Sequence, residues 1–150
     1  MNVKGMRVLV VGMAKSGIAS ARLLATEGAL VTINDVKSTE QLQDALNALQ
    51  GVAYVNALGK DPMTLLDGTD MIVLSPGVSI CAPFAQEAKR RGIKVIGEIE
   101  LGYRFAKAPI VAITGTNGKT TTTALTGELF KAAGFHTYVL GNIGVPIAQE

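Results

Sequence analysis

The sequence predicts an α/β protein with a doubly wound, mostly parallel sheet, followed by the start of a second α/β domain. Two observations carry this prediction. Short apolar runs of strand type alternate along the chain with segments whose apolar residues recur at helical spacing. Glycine or proline follows most of these segments, and regular structure stops there. Strands that alternate with helices of this size form parallel sheets that helices cover on both faces.

The predicted strands are runs of β-branched and aliphatic residues bounded by turn residues. In order along the chain they are residues 7–11, 30–34, 52–58, 71–74, 94–96, 110–114 and 137–140. The fourth run ends at Ser75-Pro76-Gly77, where proline and glycine together prevent strand or helix from continuing. A loop is therefore expected at that point.

The predicted helices carry an apolar stripe on one face, and a glycine follows most of them. They are residues 18–25, 38–49, 83–91, 98–106 and 119–133. Ser38 and Gln41 form a capping box at the start of the second helix. Pro83 is suited to the first position of the third helix, whose last turn is basic and so favourable to the helix dipole.

A domain boundary is expected near Lys107, where the alternation of strand and helix restarts. Residues 1–107 contain five predicted strands, whereas residues 108–150 contain two and cannot enclose a core of their own. We therefore expect a first domain over 1–107 and the truncated beginning of a second over 108–150, and we interpret the chain as a fragment of a longer protein.

Composition restricts the classes of function. Fourteen Lys and Arg against twelve Asp and Glu give a formal net charge of +2, and the basic residues are scattered, so neither nucleic acid nor a membrane surface is an expected partner. No apolar run approaches the ~18 residues of a membrane-spanning helix. The single cysteine, Cys81, excludes an internal disulfide, which favours a reducing compartment. We interpret Cys81 as a partly buried small residue and His136 as structural.

The sharpest chemical signal is a glycine-rich loop between a predicted strand and a predicted helix. It reads Thr114-Gly115-Thr116-Asn117-Gly118-Lys119-Thr120-Thr121. Gly115 and Gly118 let successive N–H groups point at one anion, and the helix start adds the positive end of its dipole. Lys119 supplies a full charge for the β- and γ-phosphates, and Thr120 offers a hydroxyl to Mg²⁺.

This loop departs from the G-x-x-x-x-G-K-[ST] template because its first glycine is Gly115, where the template would place it at residue 113. The alternative is a turn that caps a helix, with Lys119 solvated. A lysine at a helix N-terminus has no structural benefit unless an anion faces it, which favours nucleotide phosphate binding. The second domain is therefore predicted to be of the P-loop type.

A second glycine loop, Gly12-Met13-Ala14-Lys15-Ser16-Gly17, joins the first strand to the first helix as in a Rossmann-like domain. Asp35 ends the next strand 18 residues after Gly17, which is also typical of a dinucleotide-binding fingerprint. Ala14, however, replaces the glycine that lets the backbone approach a pyrophosphate. NAD binding is thus disfavoured.

The ligand crevice of a doubly wound sheet lies at the carboxyl ends of its first and fourth strands. The Gly12 loop and Ser75-Pro76-Gly77 follow those ends, so we expect them to face one crevice. Asp35 and Lys37 would flank it, and Lys15 and Ser16 add polar groups. The alternative that these are only turn residues remains open at this point.

Taken together, these features resemble the Mur ligase family. The phosphate loop, the apolar run before it and the later Gly141-Asn142-Ile143-Gly144 are similar to the ATP-binding region of that family. The Gly12 loop, Ser75-Pro76-Gly77-Val78 and Gly97-Glu98-Ile99-Glu100-Leu101 resemble its D-glutamate-adding branch. The resemblance covers the whole chain but only the N-terminal part of such an enzyme.

The resemblance implies a cytoplasmic, ATP-dependent and Mg²⁺-dependent ligase of peptidoglycan precursor synthesis. Such an enzyme adds D-glutamate to UDP-N-acetylmuramoyl-L-alanine through an acyl phosphate, and a monomer is expected. The implied roles are uracil or ribose binding by Lys15, Ser16, Asp35 and Lys37, diphosphate binding by Ser75, Pro76 and Gly77, sugar-peptide binding by Asn142, and ATP binding by Gly115, Thr116, Asn117, Gly118, Lys119, Thr120 and Thr121. Lys119 and Thr120 would be catalytic, with Thr120 on the metal. The D-glutamate site would lie beyond residue 150, so this fragment should bind nucleotide without catalysing ligation.

Two other classes of function stay open on the residues alone. A nicotinamide-dependent oxidoreductase would use the first glycine loop, but Ala14 disfavours it and the second loop would have no role. A non-catalytic nucleotide-sensing Rossmann module would use the same crevice without chemistry. The response to UDP-sugar, NADH and ATP, each tested separately, distinguishes the three.

Overall fold

The computed structural model describes residues 1–141 and 145–149, and it contains one parallel five-stranded sheet. The strands are β1 (Arg7–Val11), β2 (Leu30–Asn34), β3 (Tyr54–Asn56), β4 (Met71–Leu74) and β5 (Lys94–Gly97). Their order across the sheet is β3-β2-β1-β4-β5. The direction of winding reverses between β1 and β4, which confirms the predicted doubly wound α/β fold.

All five predicted helices are formed. They are α1 (Lys15–Thr26), α2 (Gln43–Ala48), α3 (Pro83–Arg90), α4 (Glu98–Phe105) and α5 (Lys119–Ala132), with 3₁₀ turns at Glu40–Leu42, Pro62–Leu65 and Ile147–Gln149. The expected capping box is half formed: the Ser38 N–H donates to Gln41 Oε1 at 3.0 Å, whereas the Ser38 hydroxyl donates to Glu40. Within the described residues, no helix has the length and apolar character needed to cross a membrane.

The central strands are buried on both faces. Val8 and Val10 of β1 belong to the apolar cluster under α1, whereas Leu9 and Val11 belong to the cluster on the opposite face, which includes Phe84 of α3. Parallel strands that helices cover on both sides have this continuous apolar character. The packing of the core therefore fixes the positions of β1 and β4, and with them the points at which the loops after these strands begin.

The strands predicted at residues 110–114 and 137–140 are not formed. Both segments lack regular secondary structure, and Leu140 makes only an isolated bridge with Val145. The prediction was wrong because an apolar run becomes a strand only beside another strand, and none within the described ranges pairs with either segment. Unpaired, a strand would leave its N–H and C=O groups without partners. The domain bounds at 1–107 and 108–150 stay a prediction.

Cys81 is exposed, so the expectation of partial burial was wrong. It lies in the turn before α3, where its N–H donates to Ser79 Oγ at 3.1 Å. His136 is also exposed, and its ring meets Tyr138 edge to face with 5.0 Å between ring centroids. Among the described residues, no three His, Cys, Asp or Glu side chains form a group that could hold a metal ion.

The end of α3 carries a network of ion pairs. The Glu87 carboxylate accepts hydrogen bonds from Arg90 at 2.7 Å and from Arg91 at 2.6 Å, and Arg91 also donates to Asp67 at 2.7 Å. The hydrogen bond from Arg90, followed by that from Arg91, lowers the pKa of Glu87 from 4.5 to about 2. A carboxyl whose pKa is lowered by folding stabilises the fold above its unfolded pKa, and this contribution is lost as the pH falls through the folded value.

We therefore expect Glu87→Gln to reduce the loss of stability between pH 4.5 and about 2. The measurement is the melting temperature of the 150-residue chain across that range, by circular dichroism. Glu128→Gln, which removes an exposed pair with Lys131, is the matched control. Identical acid sensitivity of the wild type and Glu87→Gln would contradict the assignment.

Candidate functional site

Three loops meet at the carboxyl end of the sheet. Val11, the last residue of β1, is paired with Asn34 at the end of β2 and with Leu74 at the end of β4. The loops that follow these three strands therefore begin at the same level of the sheet. This confirms that the Gly12 loop and the Ser75 loop lie together, as the topology predicted.

Ser75 joins two of these loops directly. Its hydroxyl donates to the Gly12 carbonyl oxygen at 2.6 Å, and the residue is only 5% exposed. The hydroxyl proton of Ser75 is thus used within the protein. Pro76 and Gly77, the other residues expected near a diphosphate, are exposed in the turn that the Val78 N–H closes on the Ser75 carbonyl.

Asp35 joins the third loop to the first. Its carboxylate accepts hydrogen bonds from the Met13 N–H at 2.7 Å and from the Lys37 N–H at 3.0 Å. Asp35 thereby fixes the path of the Gly12 loop and of its own turn. The residue as a whole is half-buried.

The N-terminus of α1 gives the crevice a positive character. Ala14 caps the helix without a side-chain hydrogen bond, and no acidic residue occupies the first turn. Lys15 is exposed and Ser16 is half-buried at this end, and the exposed Lys37 lies beyond Asp35 in sequence. Main-chain N–H groups and a positive dipole end suit a phosphate or another anion.

The glycines of this loop are needed for different reasons. Gly12 has a φ of +92°, and a Cβ there would lie 2.9 Å from Ser75 Cβ. A Cβ on Gly17 would overlap the Gly12 carbonyl oxygen, since α1 passes directly over the loop. Ala14, by contrast, is exposed. The dinucleotide-binding fingerprint therefore keeps its glycines at Gly12 and Gly17, where the protein packs on itself. It has alanine in place of glycine at Ala14, on the surface that a ligand would approach.

The loop before α5 has a backbone geometry that suits an anion. Gly118 caps α5 in the left-handed region with a φ of +75°, and Gly115 has a φ of +151°. Within the part of the chain that the structure describes, no acceptor hydrogen-bonds to the backbone N–H groups of residues 115–121. Thr116, Asn117, Thr120 and Thr121 are exposed. The loop amides are accessible for an anion at the positive end of the α5 dipole.

Lys119 folds back over this loop. Its ammonium donates to the carbonyl oxygens of Gly115 and Thr116, the latter at 3.3 Å. The ammonium thus lies beside the loop, although Lys119 is exposed. Asn142, which was expected at the sugar-peptide portion of a substrate, lies outside the described residues.

Two buried polar residues at the carboxyl end of the sheet are not among the predicted site residues. Asn34 is almost fully buried, and its amide donates to the carbonyls of Ala57 and Lys60, which holds the loop after β3 beside the crevice. Glu98 is buried at the start of α4 and accepts a hydrogen bond from the Ala148 N–H. Each is a polar residue at the end of an apolar run, and Glu98 also belongs to the Gly97-Glu98-Ile99-Glu100-Leu101 motif.

The sheet order and the position of the crevice define a Rossmann-like α/β domain. A family model described as the N-terminal domain of MurD-like Mur ligases matches residues 6–97. The chain therefore belongs to the MurD-like Mur ligase family.

Curated relatives extend this similarity to the whole chain. UDP-N-acetylmuramoylalanine–D-glutamate ligase of Alkaliphilus metalliredigens is 49% identical over 100% of this chain and 33% of its own length. The protein of the same name from Geobacter metallireducens is 48% identical over 99% of this chain and 33% of its own length. The chain thus spans about a third of the length of these relatives.

Solved structures agree with this placement. A pseudomurein peptide ligase type C from Methanothermus fervidus is 25% identical with a TM-score of 0.54, and the match covers 87% of this chain and 27% of that one. A murein peptide ligase from Psychrobacter arcticus has a TM-score of 0.53 over the same shares of the two chains, at 20% identity, and supports the fold alone.

The overlap at Gly17 predicts a large effect of a single methyl group. Gly17→Ala should lower the free energy of unfolding by about 3 kcal/mol or more, because a rigid backbone oxygen must move to accommodate the new Cβ. Urea denaturation of the 150-residue chain measures this. Gly77→Ala is the control, since no atom lies within 4 Å of a Cβ built there. Equal losses in the two variants would contradict the packing role of Gly17.

Proposed function

We propose that this chain is the N-terminal part of an ATP-dependent ligase that adds D-glutamate to UDP-N-acetylmuramoyl-L-alanine in peptidoglycan precursor synthesis. The observation that carries the proposal is that two separate glycine-containing loops lead into helix N-termini without acidic residues, one at α1 and one at α5, a geometry that suits anions. A ligase that binds both a nucleotide sugar and ATP needs two such loops, whereas an oxidoreductase needs only the first. The relatives that match the whole chain are named as ligases, which supports the same choice.

The crevice at α1 is the proposed site of the UDP end of the substrate. The positive end of the α1 dipole and the cations of Lys15 and Lys37 complement the negative charge of a diphosphate. Ser16 and Asp35 offer hydrogen bonds to uracil or ribose. Asp35 would do so with the oxygen surface that its contacts to Met13 and Lys37 leave exposed.

The turn at Ser75-Pro76-Gly77 is the proposed neighbour of the diphosphate. Since the Ser75 hydroxyl proton is directed to Gly12, the exposed backbone of Pro76 and Gly77 is the part of this turn that a ligand reaches. Asn142 would contact the sugar-peptide portion. These assignments place the reacting carboxylate at the far end of an anchored nucleotide.

The loop before α5 is the proposed ATP site, and its residues fit a triphosphate. The accessible amides of residues 115–121 and the dipole of α5 complement phosphate oxygens. Lys119 would exchange its two carbonyl contacts for β- and γ-phosphate oxygens, because hydrogen bonds between charged partners are stronger. The exposed Thr120 hydroxyl would help to hold Mg²⁺, which neutralises phosphate charge when it is bound.

The proposed reaction proceeds in two steps. An oxygen of the L-alanine carboxylate attacks the γ-phosphorus of ATP, so that an acyl phosphate forms and ADP leaves. The amine of D-glutamate then attacks the acyl carbon, which forms the amide, loses a proton and releases inorganic phosphate. Lys119 and the loop amides stabilise the charge on the transferred phosphoryl oxygens, and the α1 crevice contributes by placing the carboxylate.

Binding measurements distinguish the ligase from its rivals. Calorimetric titration of the 150-residue chain with UDP-N-acetylmuramoyl-L-alanine should give saturable binding that UDP displaces, and NADH should give none. Lys119→Ala should bind the UDP substrate as the wild type does. Saturable NADH binding without a response to the UDP substrate would overturn the proposal.

Lys119 should matter for turnover and not for the UDP substrate. In the full-length ligase, Lys119→Ala should lower kcat by about a hundredfold or more, the size expected when one preorganised donor to a developing charge is removed. The Kd for UDP-N-acetylmuramoyl-L-alanine should stay unchanged. Lys131→Ala, which removes another exposed cation of α5, is the control for both quantities. Equal losses in kcat and in UDP-substrate affinity would contradict this division of roles.

A further inference from the structure

Asn34 is a buried amide to which the proposed reaction assigns no role. It is the last residue of β2 and is 1% exposed. Its Nδ2 donates to the carbonyl oxygen of Ala57 at 2.8 Å and to that of Lys60 at 2.9 Å. A buried amide destabilises a fold unless its N–H groups find acceptors, so these two contacts attach the loop after β3 to the end of β2.

The attached loop, residues 57–60, is also bonded to the main chain of Asp35. The Gly59 N–H donates to the Asp35 carbonyl oxygen at 2.8 Å. Gly59 has a φ of +73°, a conformation that glycine adopts readily and that turns the chain back towards β2. Asn34 and Gly59 thus join the same loop to two consecutive residues.

The Gly12 loop is bonded to the same two residues. The Gly12 N–H donates to the Asn34 carbonyl oxygen at 2.8 Å, and the Met13 N–H donates to the Asp35 carboxylate at 2.7 Å. Asn34 and Asp35 are therefore hydrogen-bonded both to residues 57–60 and to the loop that leads into α1. A displacement of residues 57–60 would reach the Gly12 loop through Asp35.

We infer that Asn34 is a positioning residue for the nucleotide end of the substrate. Its amide holds residues 57–60, Gly59 fixes the main chain of Asp35, and the Asp35 carboxylate fixes Met13 in the wall of the crevice. A loop that must become ordered when a ligand binds lowers the affinity, so contacts that order it beforehand favour binding. The inference rests on the proposed function, because it assumes that the UDP end binds in the crevice at α1. It requires no direct contact between Asn34 and UDP.

Two variants disturb residues 57–60 in different ways. Asn34→Asp keeps the size of the side chain and removes both donors. Gly59→Val places a β-branched residue in the left-handed region at an exposed position, where the core is not altered. The matched controls are Asn47→Asp, on the exposed side of α2, and Gly51→Val, at an exposed glycine with a φ of +81° that precedes β3 and so lies at the other end of that strand.

Hydrogen exchange of the 150-residue chain tests the series of contacts without any ligand. Relative to the amides of β4, which report on overall stability, the Met13 amide should exchange at least about tenfold faster in Asn34→Asp and in Gly59→Val, the factor expected for the loss of one hydrogen bond. The Gly59 amide should do the same in Asn34→Asp, and the two controls should change neither amide. Unchanged relative exchange of Met13 in both variants would overturn the inference.

The positioning role is tested in the full-length ligase. Asn34→Asp and Gly59→Val should raise the Kd for UDP and the KM for UDP-N-acetylmuramoyl-L-alanine by the same factor of about ten, again the equivalent of one hydrogen bond. The KM for ATP and the kcat at saturation should not change, because the reacting carboxylate lies at the other end of the substrate. A lower kcat with an unchanged Kd for UDP would indicate only a loss of folded enzyme, and it would overturn the role of Asn34.

The two tests fail separately. A wild-type ligase that binds no UDP would overturn the proposed UDP site and with it the role of Asn34 in positioning the nucleotide. The hydrogen-exchange result would still decide whether Asn34 and Gly59 hold Asp35 and Met13 in place.

Discussion

The parallel register of β1 with β2 and β4 is the constraint on which the crevice depends. It ends three strands at one level, so that Gly12, Asp35 and Ser75 become neighbours although they are far apart in sequence. The hydrogen bonds from Ser75 to Gly12 and from Met13 to Asp35 then connect the three loops at the edge of the crevice. Because alternate side chains of β1 and β4 pack into two different apolar clusters, a shift of register by one residue would move each side chain to the opposite face and disrupt the packing of both clusters.

Much of the first domain could be predicted from local pattern because its elements are amphipathic or fully buried. Residues 7–11, 30–34 and 71–74 were predicted with the bounds that the structure gives, since each is a core strand between clear turn signals. The runs at 110–114 and 137–140 have similar composition but are not strands. Pairing is a property of two segments, and a pattern within one segment does not report whether its partner is present.

The location of the crevice could also be predicted, because it follows from the topology of a doubly wound sheet. The hydrogen-bond partners of its side chains could not be predicted. That the Ser75 hydroxyl is directed to Gly12, and that Glu98 reaches Ala148, depends on rotamers and on approaches between distant segments. Glu98 and Glu100 are similar in sequence, yet one is buried against another segment and the other pairs with Arg104 on the surface.

If the proposed ATP site is correct, the folded-back Lys119 makes anion binding at α5 an exchange of partners. An incoming anion must draw the ammonium from the carbonyl oxygens of Gly115 and Thr116, so it gains only the difference between the new contacts and the old. Chloride carries a single charge, so it would gain little binding free energy from this exchange. A polyphosphate gains most, because its several oxygens engage the ammonium and the main-chain amides at once. In the proposed site, the resting contacts of Lys119 would therefore favour polyphosphates over monovalent salt anions.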